Sequence, residues 1–307
     1  MGQLRNTKHR RPRNFGKPSP QRNLFGPDSK PIFRGQRDEV WGLEPSILRG
    51  QNHPVHAFLQ FRSGPEASDA QICAEIYALR VFAEYCDSAG LRIPGDSDDF
   101  RGYLDLTKVM DSFIFHMRIW PSREYFEIMA LAQHYGLPTR LLDWTRNSHV
   151  AAYFAASGAL EAKMVGGGFA VWALNTGNIR STLKNVEVIP VPGSNNARVA
   201  AQSGLFTLLR QEYKRACPFD GPHCLKEYVL SCKSGDLAKI TLPVVQAPKI
   251  IDLCGKYGVT AAKLYPDFYG AAKATRVSLA CLLRSEWTDG RDIRSQRLPV
   301  CAAPSTK

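Results

Sequence analysis

The amino-acid sequence predicts an α+β fold in which a mixed or antiparallel sheet is flanked by helices. The chain has 307 residues, 44% of them hydrophobic, which is enough to build a full core. Segments with helical spacing of apolar residues are interspersed with short strand candidates. These segments do not follow the regular βαβ order of doubly wound parallel sheets.

The first predicted elements are a strand and two helical segments. Residues 31–35 form a strand candidate that ends at a glycine, where the backbone can turn. Residues 67–88 have the apolar spacing of a helix, which Gly90 stops. We expect an acidic loop at residues 95–102, followed by a helical pattern at about residues 107–120.

The next predicted helix covers residues 122–135. Ser122 is placed to cap its start, and Gly136 and Pro138 end it. Residues 139–144 are expected to be extended and to lead into another helix. The remaining predictions are a helix at residues 149–162, strands at residues 166–174, 186–191 and 204–209, and short alternating elements at residues 247–283.

The charge distribution divides the chain into a disordered basic arm at residues 1–30, a folded domain at residues 31–283 and a loose tail at residues 284–307. The arm has eight basic side chains against Asp28 alone, so it contributes +7 to the net charge of +12. Such a polar segment cannot bury enough apolar surface to offset its ordering entropy. We expect the arm either to bind nucleic acid or another polyanion, or to act only as a solubilising tail.

Several classes of protein are excluded by what the sequence lacks. There is no apolar stretch of about 18 residues and no apolar signal region, so we expect no membrane association. The eight cysteines are irregularly spaced, which is typical of reduced thiols and predicts a cytoplasmic location. P-loop, HExxH and GxSxG motifs are also missing. One cluster lacks the C-x-x-C pair of common zinc sites, so no metal site is predicted there: Cys217, His223, Cys224 and Cys232.

Residues 131–145 hold the densest group of polar side chains among apolar neighbours: Gln133, His134, Arg140, Asp143 and Thr145. Buried polar groups need partners, so these side chains either satisfy one another or face a ligand. The helix that begins after Thr145 would also present free backbone N–H groups to an anion such as a phosphate. In the alternative interpretation, Arg140 and Asp143 form a structural ion pair and His134 only caps its helix.

Several segments resemble a known family. Phe33-Arg34-Gly35-Gln36, followed by Trp41 and Pro45-Ser46, is similar to the opening of the FRG domain, named for Phe-Arg-Gly. Further matching segments are residues 132–145, 150–155, 198–206 and 264–270. The resemblance covers about residues 33–273. It implies a bacterial cytoplasmic protein with a role as a toxin or in phage defence, while the family name carries no settled activity.

A more distant resemblance is to ADP-ribosyltransferases, in which an Arg-Gly pair ends an early strand and holds NAD. Arg34-Gly35 and the segment from Asp143 through Phe154 fall in the same order here. This resemblance implies an ADP-ribosyltransferase-like core that uses NAD, because a guanidinium binds a phosphate through paired donors and an aromatic ring stacks on nicotinamide. The suggested cofactor-binding residues are Arg34, Gly35, Gln36, Tyr135, Arg140, Trp144 and Thr145, and the suggested catalytic residues are His134, Asp143 and Gln202.

The position of a catalytic carboxylate leaves alternatives open. Cleavage of a glycosidic bond passes through an oxocarbenium-like state that a carboxylate stabilises, but Gln202 stands where the resemblance places that carboxylate. Three hypotheses therefore remain. They are an ADP-ribosyltransferase-like enzyme or toxin that uses NAD, a noncatalytic ligand- or partner-binding module of a defence system, and a nucleic-acid-binding or hydrolytic module that uses the basic arm.

Overall fold

The computed structural model describes residues 5–7, 24–49, 68–113, 119–164, 166–190, 201–213 and 217–288. The strands within them are β1 (Arg5–Thr7), β2 (Pro31–Gln36), β3 (Ile119–Trp120), β4 (Leu142–Thr145), β5 (Gly168–Asn175), β6 (Val186–Pro190), β7 (Gly204–Leu209), β8 (Gln211–Glu212) and β9 (Leu237–Pro243). The helices are α1 (Ser68–Ser88), α2 (Asp98–Leu104), α3 (Leu106–Phe113), α4 (Phe126–His134), α5 (Ser148–Glu161), α6 (Ile179–Thr182), α7 (Leu225–Ser231), α8 (Ala247–Lys256), α9 (Ala261–Leu264) and α10 (Phe268–Thr288).

Seven strands form one sheet in the order β1-β9-β5-β2-β4-β7-β6. Neighbouring strands are antiparallel except β1 and β9, which run parallel. Strands β3 and β8 form a separate antiparallel pair. The predicted α+β class, with a mixed or antiparallel sheet and flanking helices, is therefore confirmed.

Helices pack against both faces of the large sheet. On one face, alanines of α5 form an apolar cluster with Phe169 of β5 and the start of α8. On the other face, Ile32, Trp144 and Trp172 pack with residues of α6 and α7. A third cluster joins α1, α2 and α4 around the buried Trp120. Side chains along β2 and β5 alternate between the two faces of the sheet, so these strands contribute to two separate apolar cores.

Several predicted element boundaries are confirmed. The helix expected at residues 67–88 is α1, and the strand expected at residues 204–209 is β7. Gly136 ends α4 with a positive φ of 93°. Its N–H donates to the Gln133 carbonyl at 3.0 Å, and the Leu137 N–H donates to the Ala132 carbonyl at 3.0 Å. This pair of bonds satisfies carbonyl groups that the helix end would otherwise leave unpaired.

Two element predictions near α1 are wrong. The helix expected at residues 107–120 ends at Phe113, and Trp120 lies in β3. The Trp120 indole N–H donates to the buried Glu75 carboxylate at 2.9 Å, so a tertiary contact determines this local structure. The acidic loop expected at residues 95–102 contains most of α2. Ser97 caps that helix by accepting from the Phe100 N–H at 3.1 Å.

The cap predicted at Ser122 is also wrong. Its side chain makes no capping hydrogen bond, and a 3₁₀ turn at Arg123–Tyr125 precedes α4. Most of the predicted basic arm and of the predicted tail lies outside the described residues, so the division of the chain into three segments stays a prediction. No described helix combines the length and the apolar character needed to cross a membrane.

Candidate functional site

A cleft of about 350 Å³ lies where β2, β4 and α5 meet. We call it the central cleft, and its lining residues are Phe33, Arg34, Gly35, Asp143, Trp144, Thr145, Ala151, Phe154, Gln202 and Tyr265. The structure therefore brings together six of the residues that the sequence suggested: Arg34, Gly35, Asp143, Trp144, Thr145 and Gln202.

The central cleft lies beside a short strand pairing. Strands β2 and β4 pair at one position, Phe33 with Thr145. Next to this pair, the Arg34 guanidinium lies between the strands, and its Nη1 donates to the Asp143 carbonyl oxygen at 2.8 Å. The Arg34 side chain thus satisfies a backbone acceptor of β4.

Gly35 lets α5 approach β2 closely. A Cβ at this position would lie 2.0 Å from the Ala151 carbonyl oxygen and 2.8 Å from the Ala155 nitrogen. Only a residue without a Cβ fits at such distances. Gly35 therefore fixes how near α5, which carries Phe154, comes to the wall of the cleft.

Arg34 and Asp143 form the polar centre of the cleft. Arg34 Nη1 lies 3.3 Å from Asp143 Oδ2, and the two side chains are 14% and 64% exposed, respectively. Gln133 Nε2 donates to Asp143 Oδ1 at 2.9 Å, and the Thr139 hydroxyl donates to Gln133 Oε1. The carboxylate is thus oriented by two side chains while most of it faces solvent. Arg34 Nε is buried and has no hydrogen-bond partner among the described residues.

Arg49 lies beside this pair, and the sequence gave no indication of it. Burial, and then the positive charge of Arg34, lower the pKa of Arg49. Ser46, three positions earlier, is anchored to Thr139 by hydrogen bonds in both directions at 3.1 and 3.2 Å. Arg49 Nε donates to the Glu44 carbonyl at 2.9 Å, and Arg49 is not among the residues that line the cleft. No motif marks Arg49, because it comes near Arg34 only through this contact between segments 93 residues apart.

Aromatic side chains form one wall of the cleft. The rings of Phe154 and Tyr265 meet edge to face, with centroids 6.4 Å apart. Phe33 contributes from β2. Trp144 is buried and its indole N–H donates to the Thr207 hydroxyl at 2.8 Å, so that N–H is already paired. The wall therefore offers apolar surface to a planar ring.

Thr145 and Gln202 are bonded to each other and to the protein. The Thr145 hydroxyl donates to the Gln202 carbonyl at 2.7 Å and accepts from the Asn147 N–H at 3.0 Å. Gln202 Nε2 donates to the Leu264 carbonyl at 3.2 Å. These bonds hold residues of β4, α9 and the segment before β7 at the cleft.

The expectation that the start of α5 presents free N–H groups to an anion is wrong for its first turn. The Asn147 side chain accepts from the His149 N–H at 2.9 Å. Its carbonyl accepts from the N–H groups of Val150 and Ala151 at 3.1 and 3.3 Å. The helix is capped by its own chain, so any anion at the cleft depends on side chains.

Three other suggested residues lie away from the central cleft. His134 is the last residue of α4, and its ring contacts that of Tyr135 at a centroid distance of 5.0 Å. Tyr135 borders a different cleft, next to Arg92. The Gln36 side chain donates to the Gly42 carbonyl and accepts from the Trp172 indole, both at 2.7 Å.

Arg140 also lies away from the cleft, in the core. Its Nε is 2.8 Å from the Glu75 carboxylate, and the two side chains are only 2% and 4% exposed. Its Nη1 donates to Gln211 at 2.8 Å, and its guanidinium lies 4.4 Å from the Phe219 ring centroid. The alternative interpretation of an Arg140–Asp143 ion pair is therefore wrong, because each residue has a different partner.

Comparison with known protein families gives one match. The family model of the FRG domain matches residues 29–163, a range that contains β2, β4 and α5. No curated protein and no solved structure matches the chain. Across the described residues, no group of three or more His, Cys, Asp or Glu side chains is placed to hold a metal ion.

Proposed function

Starting from the match between residues 29–163 and the family model of the FRG domain, we propose that the central cleft binds a phosphate-bearing nucleotide, with NAD as the candidate cofactor. The observation that carries this proposal is the Arg34 guanidinium, whose buried Nε has no hydrogen-bond partner among the described residues, in a cleft with an aromatic wall. Phosphate groups and planar rings are the two chemical parts that every nucleotide combines.

The charges favour an anionic ligand. Two neighbouring positive groups repel each other, and the lowered pKa of Arg49 reflects this repulsion in addition to burial. The carboxylates of Asp143 and Glu44 act on Arg49 in the opposite direction, but burial and the charge of Arg34 outweigh them. Guanidinium groups bind phosphate oxygens through paired N–H donors, and Arg34 Nε is a buried donor that no described protein group satisfies. A bound phosphate would reduce the repulsion.

The size of the cleft favours one nucleotide unit. Small-molecule sites usually measure about 300–1,000 Å³, and the central cleft, at about 350 Å³, lies at the lower end of that range. The rings of Phe33, Phe154 and Tyr265 would pack against nicotinamide or another planar base. The rest of a dinucleotide such as NAD would extend out of the cleft.

In the enzymatic form of this proposal, Asp143 carries the chemical step. The bond between nicotinamide and ribose C1 would break, and nicotinamide would leave with the bonding electron pair. An acceptor oxygen or nitrogen would then bond to C1 and release its proton to water. Asp143 would stabilise the positive charge that develops on the ribose, and Gln202 would contact the ligand. An ADP-ribosyltransferase-like or NAD-consuming activity of this kind would fit the toxin or phage-defence role that the family resemblance implies.

A noncatalytic ligand-binding module is the second candidate. Both carboxylate oxygens of Asp143 already accept hydrogen bonds, one from Gln133 and one from Arg34. Gln202 occupies the place at which the transferase resemblance calls for a carboxylate. A cleft of this composition would bind the same nucleotide without cleaving it.

The test measures NAD binding and NAD consumption by the purified full chain. We expect Arg34→Ala to weaken NAD binding about tenfold or more, because a hydrogen bond to a charged group contributes about 1.5–3 kcal/mol. Asp143→Asn is expected to remove turnover and to retain binding. The matched control is Arg80→Ala, which removes a surface arginine paired with Glu84 on α1.

The possible outcomes distinguish the enzyme from the noncatalytic binding module. Wild-type binding without turnover, in mixtures that contain RNA, DNA or cell extract as acceptors, supports the noncatalytic module. Turnover that persists unchanged in a folded Arg34→Ala protein contradicts the assignment of the cleft. Absence of NAD binding by the folded wild type eliminates NAD as the cofactor.

A further inference from the structure

The Asp143 carboxylate is the end of a chain of hydrogen bonds that begins outside the central cleft. Gln133 Nε2 donates to Asp143 Oδ1 at 2.9 Å, and the Thr139 hydroxyl donates to Gln133 Oε1. Thr139 is only 3% exposed, and neither it nor Gln133 is among the residues that line the cleft. Thr139 therefore reaches the carboxylate only through Gln133.

The Thr139 hydroxyl determines which way the Gln133 amide faces. A hydroxyl has one hydrogen to donate, and the Thr139 oxygen already accepts from the Leu141 N–H at 3.2 Å. Its hydrogen is directed to Gln133 Oε1, so the NH₂ group of the same amide faces Asp143. The reverse orientation would place the amide oxygen against a carboxylate oxygen, with no hydrogen between two acceptors.

The backbone of Thr139 is itself held against another segment of the chain. Its N–H donates to Ser46 Oγ at 3.1 Å, and its carbonyl accepts from the Ser46 hydroxyl and the Ile47 N–H, both at 3.2 Å. Ser46 and Ile47 belong to a 3₁₀ turn at Ser46–Leu48. All hydrogen-bonding groups of Thr139 are thus used within the protein, which suits a residue that holds another side chain in place.

Gln133 is the firmer of the two side-chain contacts of this carboxylate. Arg34 Nη1 lies 3.3 Å from Asp143 Oδ2, whereas the Gln133 contact measures 2.9 Å. A phosphate in the cleft would also compete for the Arg34 guanidinium. Because the Asp143 side chain is 64% exposed, it would turn freely once Arg34 is engaged. In the occupied cleft, Gln133 would remain the group that keeps the carboxylate in one direction.

We propose that Thr139 is a positioning residue that acts on Asp143 through Gln133. The inference rests on the enzymatic form of the proposed function, in which Asp143 faces the positive charge that develops on the ribose. The stabilisation of that charge depends on the direction of the carboxylate, and a small misplacement reduces the rate strongly. Thr139 sets this direction without contact with the ligand.

The test measures the steady-state kinetics of NAD consumption by full-length variants. Thr139→Val keeps the shape of the side chain and removes its hydroxyl. We expect kcat to fall at least about tenfold while KM changes less than about twofold, because the residue positions the carboxylate and does not contact NAD. Thr139→Ser restores the donor and should retain most of the wild-type kcat.

A second variant tests the same chain without changing the buried threonine. Gln133→Leu removes the middle of the chain at a partly exposed position, so it serves even where Thr139→Val does not fold. It should lower kcat as Thr139→Val does, and the double variant should be no slower than either single variant. The matched control is Thr275→Val on α10, where the hydroxyl donates only to the Ala271 carbonyl at 3.1 Å. Its kcat should equal that of the wild type.

Proton–nitrogen NMR of the Gln133 side-chain amide provides a measurement that needs no NAD. Its signals should shift in Asp143→Asn and in Thr139→Val, but not in Thr275→Val. An unchanged kcat in folded Thr139→Val and Gln133→Leu, a failure of Thr139→Ser to restore kcat, or amide signals that do not respond to Asp143→Asn would overturn the inference and leave the proposed function intact. A folded wild type that consumes no NAD with any acceptor refutes the enzymatic function itself, and the positioning role with it, whatever the amide signals show.

Discussion

Arg34 and Arg140 both lie in the region that the FRG family model matches, but their surroundings differ in one decisive respect. Arg140 is buried against the equally buried Glu75, so its charge is neutralised inside the core. Arg34 borders the central cleft beside a second guanidinium, and its carboxylate partner faces solvent. Arg140 therefore stabilises the fold, whereas Arg34 retains the capacity to bind a ligand.

We expect Arg140→Ala to lower the free energy of unfolding by about 3–5 kcal/mol, because it leaves the Glu75 charge buried without its partner. Arg80→Ala, which breaks an exposed ion pair with Glu84 on α1, should cost less than about 1 kcal/mol. Chemical denaturation of both variants measures the difference. Similar losses in the two variants would contradict the structural role of Arg140.

Sequence reasoning located much of the site but could not separate these arginines. Arg34, Asp143 and Gln202 were suggested from local motifs, and they do line one cleft. Arg140 stands in the same motif as Asp143, yet its side chain turns to a helix 65 residues away. Arg49 has no motif at all. Both cases depend on tertiary contacts that no local pattern encodes.

At the scale of elements, the contact between β2 and α5 determines the shape of the cleft. Gly35 allows α5 to lie this close to β2, because a Cβ at this position would be only 2.0 Å from the Ala151 carbonyl oxygen. The sequence predicted Gly35 at a strand end, and the resemblance to ADP-ribosyltransferases suggested it as a cofactor-binding residue. It could not show that the residue is also the position at which a helix crosses the strand.

We expect Gly35→Ala to destabilise the protein by about 3 kcal/mol, since the added methyl group meets backbone atoms that cannot rotate away. Gly102→Ala in α2 is the matched control. A Cβ at Gly102 meets no atom within 4 Å, so alanine should stabilise by about 0.5–1 kcal/mol through its higher helix propensity. Thermal unfolding monitored by circular dichroism compares the two, and a stable Gly35→Ala protein would contradict the close approach.

Local sequence patterns predicted the helices and strands well where local interactions determine their boundaries. The apolar spacing of α1 and the glycine at the end of α4 were sufficient. They failed at Trp120, where a buried hydrogen bond to Glu75 of α1 holds the chain in a strand. They also failed at α2. Its acidic first turn after Ser97 has the composition of a loop, but acidic side chains at this position stabilise the start of a helix.

At the scale of the whole molecule, α5 connects the central cleft with a second concave surface. Its first half lines the central cleft with Ala151 and Phe154, and Leu160 near its C-terminal end lines a surface of about 700 Å³ that α10 also borders. The rings of Tyr265 in the central cleft and Tyr269 in the second surface also meet, with centroids 5.4 Å apart. The fold class was predictable from the mixture of elements, but the strand order was not, since neighbours such as β5 and β9 are distant in sequence.

The central claim is that the cleft recognises a nucleotide through its phosphate. Calorimetric titration of the purified chain with nicotinamide mononucleotide and with nicotinamide riboside tests it most directly, because the two ligands differ by one phosphate. We expect the mononucleotide to bind at least about tenfold more tightly, and Arg34→Ala to remove most of that difference. Equal affinities for the two ligands, or binding of neither by the folded protein, would contradict the assignment.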